Sequence, residues 1–281
     1  MTLDPEDPRP PYQQVANSLR AAILTRKFSA GDKLPSQSEL ATHYGVARMT
    51  IQQALRILRE ESLIVSRAGS GVFVRERTER PVGLRPHVEA AFEQDEVRID
   101  FSGYTAETLH GVVQEPLDKI RVGRLRPQQL HVRMLLVDLA QATALPSRAG
   151  EDPGDDPRIR DRMAKIAERH STAIVDSVRE LAEMGLVVEA SAEVRVIGTA
   201  PQFKVYIVNN HDLFFGFYPV LEHAVAIDGG QVSVFDPMGK DTVLFHHAAD
   251  VDPDSTDAMY VAEAARWFDS VWNTIARARV P

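Results

Sequence analysis

The sequence predicts a multidomain protein of the α/β and α+β classes, in which a small helical domain precedes a larger mixed α/β domain. The length of 281 residues suits two domains, and 44% hydrophobic residues can supply a core for each. Apolar residues at helical spacing fill the first quarter of the chain, whereas strand-like and helix-like runs alternate from residue 97 onward. A charged segment containing Pro81, Gly83 and Pro86 separates the two parts.

Composition excludes several kinds of site. The chain has no cysteine, so disulfides, thiolate zinc sites and cysteine nucleophiles are excluded. The first residues lack the basic and apolar regions of a signal peptide, and no apolar run approaches the roughly 18 residues that span a bilayer. We therefore expect a soluble, cytoplasmic protein with no membrane partner.

The charge is divided unevenly along the chain. The net charge is −8, which by itself argues against nucleic acid as a partner. Residues 9–77, however, contain eleven Lys+Arg and five Asp+Glu, a net charge of +6, whereas residues 78–281 carry −11 and residues 1–8 carry −3. An acidic body is therefore preceded by a basic segment, and that segment coincides with a regular pattern of helices.

Two helices are predicted at the start of the basic segment. The first covers Tyr12–Thr25, where the apolar residues of one face are Val15, Leu19, Ala22 and Ile23. Ser36 and Glu39 have the Ser-x-x-Glu spacing of a capping box, which begins a second helix. That helix ends at Tyr44, because Gly45 suits the left-handed turn between two crossing helices.

A third helix is predicted over Ala47–Glu61, with a buried face opposite a polar face. The buried positions are Ile51, Ala54, Leu55 and Leu58. Two short β-rich runs, Leu63–Arg67 and Gly71–Arg75, flank a turn that contains glycine and predict a small hairpin. Residues 9–77 are therefore predicted to form a winged helix-turn-helix domain, whose third helix enters the major groove of DNA.

The third helix, the helix before it and the wing supply the candidate DNA contacts. Arg48 can donate two hydrogen bonds to guanine, and Gln52 or Gln53 can bond adenine. Hydroxyl groups suit phosphates or thymine methyl groups, and glycine lets a wing approach DNA closely. The predicted DNA-binding residues are Ser36, Ser38, Arg48, Thr50, Gln52, Gln53, Arg56, Arg67 and Gly69. The alternative is a solvated polar helix face beside an ordinary hairpin.

Three motifs lie in this segment: Leu34-Pro-Ser-Gln-Ser-Glu-Leu, Tyr44-Gly-Val-Ala-Arg-Met-Thr-Ile-Gln-Gln-Ala-Leu, and Leu63-Ile followed by Gly69-Ser-Gly-Val-Phe-Val. Together they resemble the GntR family of bacterial transcription regulators, and the stretch beginning at Arg48 is most similar to its HutC-like branch. The resemblance covers residues 9–77, a quarter of the chain. It implies DNA contact for Arg48, Thr50, Gln52 and the wing around Arg67–Gly69.

The sequence departs from the pattern of this family at four positions. The family usually has Arg where Ser38 and Gln52 stand. It usually has Ser or Thr where Ala47 stands, and Gly where Ser62 stands. The loss of two arginines is expected to weaken the affinity for phosphates or to change the operator that is read.

A linker is predicted over residues 78–96, with a short helix near Val88–Gln94, and a second domain over residues 97–281. The predicted strands are Val97–Tyr104, His131–Asp138, Glu193–Ile197, Phe203–Val208, Leu213–Tyr218, Gln231–Phe235 and Thr242–Phe245. The predicted helices are Thr105–Arg121, interrupted or restarted near Pro116, Asp161–Met184 and Thr256–Ala278. Strands that alternate with helices and are followed by late strands predict a mixed α/β domain.

The order of these elements and the motif Pro201-Gln-Phe-Lys-Val-Tyr-Ile-Val-Asn resemble the phospholipase D-like superfamily. That superfamily carries His-x-Lys-x4-Asp, in which His is the nucleophile on phosphorus and Lys stabilises phosphate charge. Here Gln202, Lys204 and Asn209 occupy the three positions. An amide cannot be that nucleophile or shuttle a proton near pH 7, so the domain is expected to be catalytically inactive. These three residues are candidates for ligand binding. The alternative is a purely structural role, in which Lys204 is a surface lysine on an edge strand.

A second set of residues fits the same spacing. His131, Arg133 and Asp138 match if Arg replaces Lys, although in a buried strand the match is more often accidental. The tyrosines that are candidates for the core or for the rim of a pocket are Tyr104, Tyr206 and Tyr218.

The sequence as a whole predicts a sequence-specific DNA-binding transcriptional regulator, ligand-responsive and dimeric, with no catalytic residue. The expected partners are a double-stranded DNA operator, a small-molecule or anionic effector, and a second copy of the chain. No cofactor is expected, and no metal, because His246 and His247 point to opposite faces of a strand. The alternatives are an active phosphodiesterase with an appended DNA-binding domain, in which His131 acts, and a nucleoid-type binder without an effector.

Overall fold

The computed structural model describes residues 9–25, 27–29, 31–60, 63–67, 71–74, 83–150, 153–239, 242–249 and 252–279. The chain divides into two compact units, residues 1–90 and residues 91–281. The bounds predicted for the domains and the linker stay a prediction. Among the helices of the described ranges, none combines the length and the apolar character needed to cross a membrane.

Three helices and a hairpin, as predicted, make up most of the first unit, which also contains nearly all of a fourth helix. The elements are α1 (Pro11–Leu24), α2 (Gln37–Tyr44), α3 (Arg48–Glu60), β1 (Ile64–Arg67) and β2 (Gly71–Val74), and α4 (Leu84–Ala91) follows them. The first five lie close to the predicted bounds, so these predictions are confirmed. The helix α4 begins and ends a few residues earlier than the short helix predicted in the linker.

The core of the first unit is formed by the apolar positions that helical periodicity marked. Leu19 on α1 and Ile51 and Leu55 on α3 are at most 1% exposed and belong to one apolar cluster. The antiparallel hairpin closes over this cluster through Ile64 and Val74, which lie opposite each other. Because each helix buries one stripe of apolar residues, its polar stripe is held outward.

Local signals fix both ends of α2. The Ser36 hydroxyl accepts a hydrogen bond from the Glu39 amide at 3.3 Å, and the Glu39 carboxylate accepts one from the Ser36 amide at 2.7 Å. These hydrogen bonds hold the pKa of the Glu39 carboxyl below its ordinary value. At the other end Gly45 has φ of +66°, a left-handed conformation that glycine adopts more readily than residues with a Cβ atom. The predicted capping box and turn are confirmed.

The second unit is a mixed α/β domain, as predicted. Its elements are β3 (Glu96–Gly103), α5 (Glu107–Arg121), β4 (Gln129–Val137), β5 (Ser147–Arg148), α6 (Pro157–Glu183), β6 (Glu189–Ile197), β7 (Phe203–Val208), β8 (Asp212–Phe217), β9 (Val220–Ile227), β10 (Gly230–Pro237), β11 (Phe245–Ala248), α7 (Thr256–Thr274) and β12 (Arg277–Ala278). Seven strands form one sheet in the order β11-β8-β7-β3-β4-β6-β12, in which β3, β4 and β6 are parallel. A smaller antiparallel sheet has the order β5-β10-β9.

The two faces of the large sheet are covered by different helices. Val205 and Ile207 of β7 pack with Phe268 and Trp272 of α7. Tyr206, which lies between them on the strand, points to the opposite face, where a ring contact with Phe101 is 4.9 Å between centroids. The helix α6 lies on that second face, against β4 and β6.

Several predicted bounds in the second unit were wrong. The helix α5 continues through Pro116, because Pro116 is buried in its apolar face and packing outweighs one lost hydrogen bond. The strand predicted at Thr242–Phe245 lies instead at β11, where pairing with β8 sets its register. The last helix stops at Thr274, and β12 then pairs with β6, which would otherwise be an unpaired edge. The strand β9 was not predicted.

Candidate functional site

The exposed face of α3 carries the residues predicted to read bases. Arg48, Gln52 and Arg56 are spaced four residues apart, so they form one stripe along the helix, and all three are exposed. Gln53 is exposed beside this stripe. The opposite face of α3 is buried in the core of the first unit, which fixes the direction in which the stripe points.

Two neighbouring side chains on α3 differ from the sequence prediction. Thr50 is half-buried, on the flank of the helix nearest the core. Met49 was not selected, although it is 65% exposed and lies one turn from both Gln52 and Gln53. An apolar side chain at this place can contact a thymine methyl group. The sequence signal that could have selected Met49 is that it is a single methionine within an otherwise polar face.

The beginning of α2 supports the beginning of α3. Arg48 Nη2 donates a hydrogen bond to Ser38 Oγ, which ties the two helices together at the exposed end of α3. Ser36 caps α2 with its hydroxyl, so this side chain already has a structural role. A small hydroxyl residue at position 38, where the GntR pattern usually has Arg, thus gives Arg48 a hydrogen-bond acceptor in place of a second cation.

The wing is described only in part. Arg67 ends β1 and its backbone pairs with Gly71, whereas the Arg67 side chain and the whole of Gly69 lie outside the described residues. Lys33, which the sequence analysis did not select, pairs with Phe73 and extends the hairpin. Gly71 has φ of +114°, which favours glycine at this position, and a Cβ atom there would lie 2.9 Å from Lys33 Cε. The wing therefore carries one further exposed cation.

Gln202, Lys204 and Asn209 do not converge on one place. Gln202 is exposed just before β7, whereas Lys204 is only 3% exposed and donates a hydrogen bond of 2.6 Å to the Gly239 carbonyl. Burial lowers the pKa of Lys204 to about 8. Asn209 lies at the far end of the strand with φ of +52°, and its side-chain oxygen accepts a hydrogen bond from the Arg98 amide. Lys204 is thus no surface lysine, and Asn209 holds a turn.

The second candidate set, which includes His131, is also dispersed. The His131 ring is hydrogen-bonded to Ser191 Oγ at 2.8 Å. Arg133 bonds the carboxylates of Asp100 and Asp269, so it serves as an ion-pair partner between the sheet and α7. Asp138 follows β4 and accepts hydrogen bonds from its own loop. These three side chains have separate partners and do not surround a common space.

Comparison with known proteins matches the first unit. Residues 11–74 fit the family described as "Bacterial regulatory proteins, gntR family". These residues form a GntR-type winged helix domain. The chain is 43% identical to the mannosyl-D-glycerate transport/metabolism system repressor MngR of Escherichia coli (strain K12) over 68 residues. These residues make up 24% of this chain and 28% of that protein. Over 69 residues the chain is 39% identical to the histidine utilization repressor of Klebsiella aerogenes, 25% of this chain and 29% of that protein.

The two repressors each match about a quarter of this chain. The matched part of the chain spans less than a third of the length of both repressors. The solved structure of a GntR family transcriptional regulator from Listeria monocytogenes is 38% identical to this chain, with a TM-score of 0.25. The match covers 26% of this chain and 63% of that chain.

Proposed function

We propose that this protein is a sequence-specific, dimeric and ligand-responsive DNA-binding transcriptional regulator. The observation that carries the proposal is the exposed stripe of Arg48, Gln52 and Arg56 on α3, within a segment of net charge +6. Two of the relatives similar to the GntR-type domain are named as repressors, which supports repression as the mode of action.

The proposed contacts divide into those that read bases and those that hold phosphates. Arg48 and Gln52 at the start of α3 are placed to meet base edges in the major groove. Arg56, Lys33 and the wing supply positive charge for the phosphate backbone. Arg48 reaches the groove from a position fixed by Ser38, so less side-chain freedom is lost on binding.

For the second unit we propose an effector and dimerisation domain of the phospholipase D-like type, without hydrolytic activity. The absence of histidine at position 202 supports this, and so does the exposed position of Gln202. The dispersed partners of His131, Arg133 and Asp138 support it as well. Hydrolysis of a generic phosphodiester that is lost in His131→Ala would contradict it.

Selection from random double-stranded DNA tests the proposal. The full-length chain, at about 150 mM salt, is expected to enrich a two-fold symmetric site whose half-sites are centred about one helical turn apart. Light scattering on the complex is expected to give two chains for each site. Binding with equal affinity to every sequence would contradict the proposal and favour a nucleoid-type binder.

A further inference from the structure

The second unit contains a cavity that the DNA-binding function does not use. Its volume is about 200 Å³. It lies between the helix α6, the strands β3 and β7 of the large sheet, and the strand β10 of the small sheet. The side chains that matter here are Phe101, Tyr104, Arg162, Tyr206, Tyr218 and Asp236. A cavity below the 300–1,000 Å³ that holds drug-sized ligands restricts any occupant to a small molecule.

Three polar atoms in this cavity are buried without a hydrogen-bond partner of normal geometry among the described residues. They are the hydroxyl oxygens of Tyr104 and Tyr206 and Oδ1 of Asp236. Tyr104 and Asp236 lie within hydrogen-bonding range of each other, and Tyr206 lies within range of Thr108, but neither contact has normal hydrogen-bond geometry. Because a buried polar group with a poor hydrogen bond destabilises the fold, three such groups around one cavity point to an occupant that supplies better partners.

The charges around the cavity are balanced. Burial raises the pKa of Asp236, although His223 at 3.4 Å, Tyr104 and Arg162 each act to lower it. Lys204 Nζ lies 5.9 Å from the centre of the Tyr218 ring, and Glu107 is at the cavity wall. A cationic ligand would face Arg162 and Lys204, and an anionic ligand would face Asp236 and Glu107. The surroundings therefore favour a neutral ligand.

The walls of the cavity are aromatic as well as polar. The rings of Phe101 and Tyr206 are in contact, and those of Tyr104 and Tyr218 are 6.5 Å apart between centroids. The Tyr104 amide donates to the Tyr218 hydroxyl, and Gly103 permits this approach because a Cβ there would lie 2.8 Å from that oxygen. Flat apolar walls with hydroxyl and carboxylate groups between them suit a ring that has apolar faces and polar edges.

We propose that this cavity binds a neutral polyhydroxylated small molecule of monosaccharide or hexitol size. Each ligand hydroxyl is both donor and acceptor, so it can donate to Asp236 Oδ1 and accept from the Tyr104 and Tyr206 hydroxyls. That such a ligand acts as the effector rests on the proposed regulatory function, whereas its binding does not.

The test uses the full-length chain without DNA and a panel of hexoses and hexitols. Thermal unfolding is measured at about 10 mM of each sugar, followed by calorimetric titration of any that binds. At least one panel member is expected to raise Tm by about 3–6 °C at tenfold excess over Kd. Sodium phosphate and tetramethylammonium chloride are the anionic and cationic comparisons, and neither is expected to raise Tm.

Two variants separate a binding role from a structural one. Tyr206→Phe and Asp236→Asn are each expected to weaken the sugar at least about tenfold. Unliganded Tyr206→Phe is expected to be as stable as the parent or more so, because it removes a buried hydroxyl that has no hydrogen bond of normal geometry among the described residues. Tyr260→Phe is the matched control, at a half-exposed tyrosine of α7 that stacks on His247. It is expected to change neither the affinity for sugar nor the stability of the unliganded chain.

The proposal is overturned if no panel member binds, if only phosphate or tetramethylammonium binds, or if Tyr206→Phe binds sugar as the parent does. A Tyr206→Phe chain that is less stable without ligand would show that the hydroxyl has a structural partner, and would also overturn it. Loss of DNA binding with sugar binding intact would instead contradict the proposed regulator and leave the cavity assignment standing.

Discussion

The side chain of Lys204 shows how burial changes the meaning of a residue. The sequence indicated a cation for an anionic ligand or a lysine on the surface. In the structure the ammonium group is enclosed and donates to the carbonyl of Gly239, thirty-five residues later. Its neighbours come from a distant part of the chain, so the spacing within the motif could not predict its burial.

A pH prediction follows from the pKa of about 8, lowered from 10.5, at Lys204. Between these values the unfolded chain holds a proton that the folded chain has lost, so stability rises with pH in this window. The free energy of unfolding of the parent, relative to Lys204→Met, is expected to rise by about 1–2 kcal/mol between about pH 8 and pH 10. Urea denaturation of both chains measures this, and a difference that does not change with pH contradicts it.

At the scale of elements, local signals predicted the first unit and failed in part of the second. The helices α1 to α3 carry apolar stripes, a capping box and a left-handed glycine, all of which act within a few residues. The strand β9 carries no such signal, because most of its apolar residues, among them Val220 and Leu221, are exposed. Its place is set by the ladder with β10, a contact that periodicity does not reveal.

The N-terminus of α2 allows stability and DNA contact to be separated at one residue. Ser36→Ala removes the cap and is expected to destabilise the GntR-type domain by about 1 kcal/mol. Ser36→Asp keeps an N-cap acceptor, so stability is expected to stay within about 0.5 kcal/mol of the parent. Its negative charge is nonetheless expected to weaken DNA binding at least about tenfold.

On the full-length chain, amide hydrogen exchange of α2 measures the stability of the GntR-type domain, and titration with the selected operator measures the affinity for DNA. If Ser36→Asp binds DNA like the parent, Ser36 does not face phosphate. If Ser36→Ala is as stable as the parent, the capping box contributes nothing measurable.

For the whole molecule, the division of charge is the feature that composition alone concealed. A chain of net charge −8 contains a +6 segment that folds as the GntR-type domain, followed by a body of −11. The acidic body is expected to oppose non-specific attraction to DNA and to leave binding to base contacts on α3. The sequence therefore predicted which face of α3 is exposed, since motif, helical period and local charge all lie within one short segment; that this face contacts DNA stays a prediction.

The cavity of the second unit could be predicted only in fragments. Tyr104, Tyr206 and Tyr218 were recognised as candidates for the core or for a pocket rim. Asp236 and His223 were not, since they join the tyrosines through the small sheet, more than a hundred residues after Tyr104. A site assembled by long-range contacts leaves no spacing rule in the sequence.

Arg48→Ala, measured on the selected operator, tests whether the exposed stripe of α3 reads DNA bases. Arg179→Ala, at an exposed arginine of α6 paired with Asp176, is the charge-matched control. We predict that Arg48→Ala weakens operator binding by about 1–3 kcal/mol and relaxes base preference at one position of each half-site, whereas Arg179→Ala changes neither. Unchanged affinity and an unchanged footprint for Arg48→Ala would show that this stripe of α3 does not read bases.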